Sequence, residues 1–564
     1  MLQVNGLRGP VRVGNALGLF AVVVMGCVGA CSLHQNGVNP PDNRIFLPGG
    51  ALIQPCAGDP SDPSLCGGDL KGSHWMYVVN SNSDLRYNAG TVAAVDLSKV
   101  RQDGDCSFRD QPDCPVDNPA SGSTPRWPRC DQNPKFLDPR YVPPANPPYK
   151  CCFDSLDPNI LNCDEQRYIN DQRNSTIRIG SFGGRPVMQE MPPGGAVAER
   201  MFVPVRGDTS ITFMNVDATA DSVAFSCTGS RTSPNPPSRY AACDDHWRIT
   251  RADDPVNGDS AASLPDDQVY NVPAEPYAVA VDSRSHLLYV GHLRGGDVSL
   301  IDLGDGQENT RPNLATVYHN LLPADPNGLE GITGLTIKDP VTGDGCFGAI
   351  YATSRFRPVV GSFVVYGLDG CPRSATLPGS PSVQIVGRGE IISTGIAGAE
   401  ARGIEFVRRK SITAPECKVT PPDPACAPDR FFVLQRTPPA LVAIDANTLV
   451  PFSVVEVCQG PTHLVQQLDA QGATLALLVT CFDAGEVDVV DPWVPRIRSI
   501  VPVGRGPITT VLDPADPTRG YVVGFGGNNI VVLHLDAATP GKDRVVQRIG
   551  FPSVTPREIG PGQP

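Results

Sequence analysis

The chain has 564 residues, with 46 Lys plus Arg against 59 Asp plus Glu, a formal charge of -13 at pH 7, and no long basic run. That balance excludes phosphate-backbone binding as the main activity, so no nucleic-acid partner is expected. With 57 Gly, 58 Pro and only 6% aromatic residues, the composition suits many short strands joined by turns rather than long helices.

In chain order, Arg8 and Arg12 precede an apolar run from Leu17 to Ala30 that is short for a transmembrane helix and reads as a secretory signal over residues 1–30. Its end, Val28-Gly29-Ala30-Cys31, resembles the bacterial lipobox. The resemblance implies cleavage before Cys31, acylation of its thiol and a membrane partner reached through that lipid; Cys27 fits less well because Met25 is bulky beside the cut. Ser32 rather than Asp follows, which implies a cell-envelope protein held at the outer rather than the inner membrane. Residues 31–55 then form a tether, with Pro40 and Pro41 discouraging regular structure, whose end can take part in ring closure.

Of 18 cysteines, removing Cys27 and Cys31 leaves an even 16, which suits eight disulfides in an oxidising compartment. Pairing sequence neighbours joins Cys56 with Cys66, Cys106 with Cys114, Cys130 with Cys151, Cys152 with Cys163, Cys227 with Cys243, Cys346 with Cys371, Cys417 with Cys426, and Cys458 with Cys481. The order among Cys130, Cys151, Cys152 and Cys163 stays open. There is no C-x-x-C, and histidines are scattered, so neither a metal nor a cofactor is expected.

An apolar stretch ending in Asp recurs seven times, ending at Asp96, Asp217, Asp302, Asp369, Asp445, Asp491 and Asp536. Each copy reads as the third strand of a four-stranded blade, so the expected fold is all-β, a seven-bladed β-propeller over residues 56–558 with disulfide-stapled loop insertions and a tail at 559–564. The last three endpoints lie 46 and 45 residues apart, one propeller period. Insertions are placed at about 101–174, 218–268, 338–347 and 408–430, all on the face here called the bottom. The inner strand of the first blade comes either from Arg44 to Ile53 or from the chain beyond Phe551.

The clearest blade, Glu275 to Leu303, reads EPYAVAVDSRSHLLYVGHLRGGDVSLIDL. It resembles the YVTN-type repeat of bacterial propeller lipoproteins, in the lactonase-like propeller superfamily, as do GPTHLVQQLDAQGATLALLVT with EVDVVD and GPITTVLDPADPTRGYVV with NIVVLHLD. The resemblance implies a fold and no particular chemistry.

Ligands of propellers sit on the top face or at the channel mouth, where this acidic chain places arginines. Blade-to-blade loops supply Arg185, Arg388 and Arg505, with Arg402 near the next inner strand; second-to-third-strand loops supply Arg206, Arg294, Arg355, Arg357 and Arg436. Planar guanidinium groups suit carboxylate or phosphate. Because Arg outnumbers Lys 38 to eight, many of these arginines are also expected as ion-pair partners of loop carboxylates. His463, Tyr277 and Glu405, near inner strands, are the candidates for acid–base work, and a packing role is the alternative for each. The expected function is a lipid-anchored envelope module binding or scaffolding a protein or a small anionic ligand. The alternative is a lactonase-like hydrolase at the channel mouth, which requires Tyr277, His463, Arg402 and Glu405 to converge on one cavity.

Overall fold

The computed structural model describes residues 38–550 apart from loop segments, the longest being 55–72, 109–129, 131–150, 252–270 and 368–382. Seven sheets, each built on four antiparallel strands, follow one another along the chain as the blades of a propeller. The strands Gly90–Asp96, Ser210–Ala218, Val298–Asp302, Val359–Gly367, Pro439–Asp445, Glu486–Asp491 and Asn529–His534 are the third strands of successive blades, as the Asp-terminated repeat predicts. They are rich in β-branched residues because a blade is covered on both faces by its neighbours. Trp75–Asn80 and Gly90–Asp96 of the first blade are buried along their whole length. Apolar clusters fill every seam, from Val203 and Val290 between blades 1, 2 and 3 to Met76 and Val523 between blades 1 and 7.

In blades 1, 5 and 6 the repeated Asp ends the third strand by accepting backbone N–H groups of the following turn. Asp445 Oδ1 takes Asn447 N and Thr448 N at 2.9 and 2.8 Å, and Asp491 Oδ1 takes Trp493 N and Val494 N at 2.9 and 3.0 Å.

Inner strands carry a second regularity. Register shifts skip one residue at the top of the inner strand in blades 1 and 3 to 7, leaving Gly49, Tyr277, Thr333, Arg402, Thr462 and Ile508 outside the ladder. In blade 2, Gly183 bridges Val205 and Val187 pairs with Phe202, so four steps on the inner strand face three on its partner. The equivalent extra residue there is Gly184. A bulge of this kind bends the strand and re-aims the unpaired side chain.

Pro48–Ile53 supplies the inner strand of blade 1, and blade 7 has four strands of its own, so no blade is shared between the chain ends. The ring is locked instead by the first insertion. It opens with a helix, Leu97–Phe108, and its hairpin Cys151–Phe153 and Leu161–Cys163 adds to blade 7, Leu161–Cys163 pairing in parallel with Arg544–Ile549. A buried polar network accompanies it. Arg101 on the helix pairs with Asp513 of blade 7 at 3.1 Å, both fully buried, and Tyr168 donates to Asp103 at 2.8 Å while accepting from Gln547 Nε2 at 2.9 Å.

Three expectations change. The first insertion is partly regular. The second, expected to follow the third strand of blade 2, interrupts the fourth: Val223–Ser226 pairs with the lower half of Ser210–Ala218 and Arg248–Ile249 with the upper half, so the excursion leaves from the blade's outer edge. For the inner strand of blade 1 the first of the two alternatives, Arg44 to Ile53, holds. The cysteine pairs are Cys130–Cys152 and Cys151–Cys163, not Cys130–Cys151 and Cys152–Cys163. Cys151 and Cys163 are directly opposed in the hairpin, and alternation sends Cys152 to the other face, toward Cys130. The pairs Cys227–Cys243, Cys417–Cys426 and Cys458–Cys481 form as expected, while Cys56–Cys66, Cys106–Cys114 and Cys346–Cys371 each have at least one cysteine outside the described residues. Among the described residues no helix is long and apolar enough to cross a membrane.

Two stability outcomes are expected. Arg101→Met leaves the Asp513 carboxylate buried without its partner and should cost about 3–5 kcal/mol in denaturant unfolding; a loss below about 1 kcal/mol would show the pair to be dispensable. Asp488, beside the Cys458–Cys481 disulfide, accepts Cys458 N at 2.8 Å, and burial pushes its carboxyl up to about 6. The folded state therefore holds this proton more tightly than the unfolded chain. Its contribution is greatest below the unfolded carboxyl range and is lost as pH rises through about 6. Asp488→Asn should thus be more stable than the parent at pH 7.5, by about 1 kcal/mol, with the gap closing toward pH 4; an unchanged gap across that range would refute the assignment.

Candidate functional site

The bulges and the ends of the second strands together build one cavity of about 450 Å³ at the top of the channel. Register equates Ser81, Arg206, Leu293, Arg355, Arg436, Phe482 and Phe525, each directly following the residue that pairs with the top of the inner strand. All seven line the cavity, as do the seven bulge positions beneath them.

Five of the predicted arginines converge here, Arg185, Arg206, Arg355, Arg402 and Arg436, together with Tyr277, Glu405 and His463. Arg206 lies 5.8 Å from the ring centres of both Phe182 and Tyr277, which hold it by cation–π attraction. Arg355 and Arg402 share Glu400, at 3.3 Å for Arg355, and Arg436 meets Asp483 at 3.3 Å. Arg185 lines the cavity with its side chain exposed to the channel, and no carboxylate among the described residues comes within ion-pair distance of it. Burial lowers its pKa while Glu405 and Tyr277 act in the opposite direction, and a guanidinium stays charged in any case. The Nε–H groups of Arg206 and Arg402 are buried and have no hydrogen-bond partner among the described residues.

Glu405 sits three residues deeper than Arg402 on the same inner strand. Its Oε2 accepts Gln466 Nε2 at 2.8 Å, and burial raises its carboxyl above the usual range while Gln466 and Arg185 pull it back. His463 is 8% exposed; its Nδ1 accepts the backbone N–H of Thr510 and lies 3.2 Å from Thr509 Oγ1. The ring proton is therefore on Nε2, and burial, then Arg185, hold the pKa well below the ordinary histidine value. A neutral imidazole with its basic nitrogen already occupied is a donor, not a base.

Three predicted arginines lie elsewhere. Arg294 is on the exposed rim, 4.0 Å from Glu275, and Arg505 is exposed in the blade 6 to blade 7 link. Arg388 belongs to the strand Val383–Ser393, opposite Phe363, not to a blade-to-blade loop, and its side chain is outside the described residues. The VGRGE and VGRGP segments look alike, but only the second turns, with Gly504 and Gly506 at φ +100° and +57° ahead of Pro507. Arg357, half-buried near the rim, does not line the cavity. Phe482, Phe525 and Gln466 were not legible as site residues from type alone; aligning the second-strand ends blade by blade would have found the two aromatics.

Among the described residues one trio, Cys458, Cys481 and Asp488, has its ligand atoms within 4.8 Å of one another, but its two sulfurs are bonded together and offer no thiolate.

No protein-family model matches the chain, and no curated protein matches it. Among solved structures it is similar to a putative 6-phosphogluconolactonase from Bacteroides uniformis, at 12% identity and TM-score 0.37, over 64% of this chain and 96% of the other. Its counterpart from Bacteroides fragilis aligns at 11% identity and TM-score 0.35 over the same shares, and a Lactobacillus plantarum protein at 12% and 0.35 over 65% and 96%. The functional reading accordingly rests on the cavity's own residues.

Proposed function

We propose that the channel mouth is a binding site for a small anion, one bearing a carboxylate or a phosphate. The observation that carries this reading is the gathering of five arginines around one cavity in a protein of formal charge -13, with Arg185 unpaired among the described residues. Guanidinium groups bind such anions through paired N–H donors, and the limited access of water strengthens each contact. Binding of sugar phosphates or dicarboxylates, measured by calorimetry at low salt, should weaken roughly 10- to 100-fold in Arg185→Ala and in Arg206→Ala, as loss of a charge-assisted hydrogen bond implies. Equal affinity in the variants, or no binding by any anion, would overturn it.

A second reading, hydrolysis of a lactone, is favoured by one feature: Glu405 is a carboxyl with a raised pKa in the same cavity as the arginines. It could take a proton from an attacking water while a guanidinium stabilises the oxyanion. His463 does not fit the base in that scheme. Lactone turnover followed by pH-stat and lost in Glu405→Gln would establish catalysis; binding without turnover leaves the site a receptor.

We also propose that the protein is lipid-anchored at the cell envelope through Cys31, supported by the apolar run and the Val28-Gly29-Ala30-Cys31 motif. Mass spectrometry of the mature protein should find a diacylated Cys31 at its N-terminus; an unmodified residue there, or a different first residue, would refute the anchor.

A further inference from the structure

The cavity wall is divided by chemistry. Taking the seven equivalent second-strand ends in blade order, Ser81 stands on blade 1, the cations Arg206, Arg355 and Arg436 on blades 2, 4 and 5 with Leu293 between them on blade 3, and the aromatics Phe482 and Phe525 on the adjacent blades 6 and 7. The layer beneath repeats the division. Arg185 and Arg402 belong to blades 2 and 5, whereas blades 6 and 7 offer Thr462 and Ile508 with the neutral His463.

The aromatic sector is built as a surface rather than left over. The Phe482 and Phe525 rings lie 6.1 Å apart, inclined at 49°, and both are half-buried where they face the cavity. Gly506, at φ +57°, runs directly behind them: a Cβ there would stand 3.2 Å from the Phe482 ring and 2.9 Å from the backbone N of Gly526. The backbone conformation and the close approach both call for glycine, and they fix the ring against the cavity. Asp483, the residue after Phe482, is turned to Arg436.

We infer that the ligand is an amphipathic acid, its anionic group held by the arginines of blades 2, 4 and 5 and an apolar ring laid against Phe482, Phe525 and Ile508. This rests on the anion-binding reading and narrows it. A fully hydroxylated anion would leave the two aromatic faces in contact with water, whereas a ring placed there removes apolar surface on both partners while the acid satisfies the guanidinium N–H groups. A volume of about 450 Å³ is within the usual range of small-molecule pockets.

Phenyl phosphate and methyl phosphate share the charged group and differ in the ring, so they test the two halves separately by calorimetry on the full chain. Phenyl phosphate is expected to bind about 10- to 100-fold more tightly, the increment for burying one aromatic group. Phe525→Ala and Phe482→Ala should remove most of that difference and leave methyl phosphate unchanged, whereas Arg206→Ala should weaken both. Phe525→Leu, which keeps the bulk, serves if the alanine variants fail to fold, and the comparison of the two ligands on the parent protein needs no variant. Equal binding of the two phosphates overturns the amphipathic ligand and leaves the anion site standing. Binding of neither overturns both.

Discussion

Everything at the top of this molecule depends on the ring staying closed between blade 7 and blade 1. A propeller that shares one blade between its two chain ends closes by completing a sheet, but here both terminal blades are complete. The closing work falls on the insertion after Gly90–Asp96, which reaches back across the seam. Its hairpin covers the outer edge of blade 7, an edge that would otherwise invite pairing with another chain. Arg101 and Asp513 add a buried ion pair across the same seam. Such a pair contributes little net stability but penalises any arrangement that separates it. Disulfides Cys130–Cys152 and Cys151–Cys163 hold the hairpin's own geometry, so the clamp is covalent within itself and noncovalent across the seam.

With the ring held, the bulge at the top of each inner strand decides what the channel presents. A regular ladder would alternate side chains between the neighbouring blades. One unpaired residue per blade breaks that alternation at the same height seven times, and whatever stands there is delivered to the cavity: Gly49 and Gly184 leave space, Tyr277 and Arg402 fill it. Gly334 and Gly403 then allow neighbouring inner strands to meet, since a Cβ on Gly334 would stand 2.9 Å from the Gly403 Cα. Two bulge positions also tie the seams: the Thr333 hydroxyl donates to Ala401 O of blade 5 at 2.8 Å, and that of Thr462 to Ile508 O of blade 7 at 3.1 Å.

The architecture was legible because it is periodic. Third strands buried on both faces must be apolar, and an Asp that accepts turn N–H groups marks their end, so seven blades follow from seven copies of one short pattern. The convergence of Tyr277, His463, Arg402 and Glu405 was reachable too, because blade position fixes height and radius. What could not be read was anything set by contacts across blades. Arg388 and Arg505 stand in nearly identical sequences, yet one lies in a long strand and the other in a glycine turn. The pairing of Cys151 and Cys152 depended on which residue of a hairpin faced Cys163. The proton on His463 depended on a backbone N–H from blade 7, which no spacing within blade 6 encodes. Phe482 and Phe525 look like ordinary loop hydrophobes until register places them beside one another.

The electrostatics of the cavity are easiest to understand as an unfinished neutralisation. Five guanidinium groups meet three carboxylates, Glu400, Asp483 and Glu405, and the pairing is uneven. Arg355, Arg402 and Arg436 each have an acidic partner, so their charge is largely spoken for. Arg206 is stabilised by two aromatic faces, an interaction that leaves its N–H groups free for an anion, and Arg185 faces Glu405 only at a distance. If these arginines served only to hold loops together, Arg185 would be expected to sit on a carboxylate, as Arg355, Arg402 and Arg436 do. Its exposure to channel water spares it the cost of an unpaired buried charge without removing its field. In a chain whose overall charge repels anions, the low-dielectric walls confine this positive potential to the mouth, where it acts on a molecule that has already entered. Selectivity is then left to the uncharged side of the cavity, where no such field competes with shape.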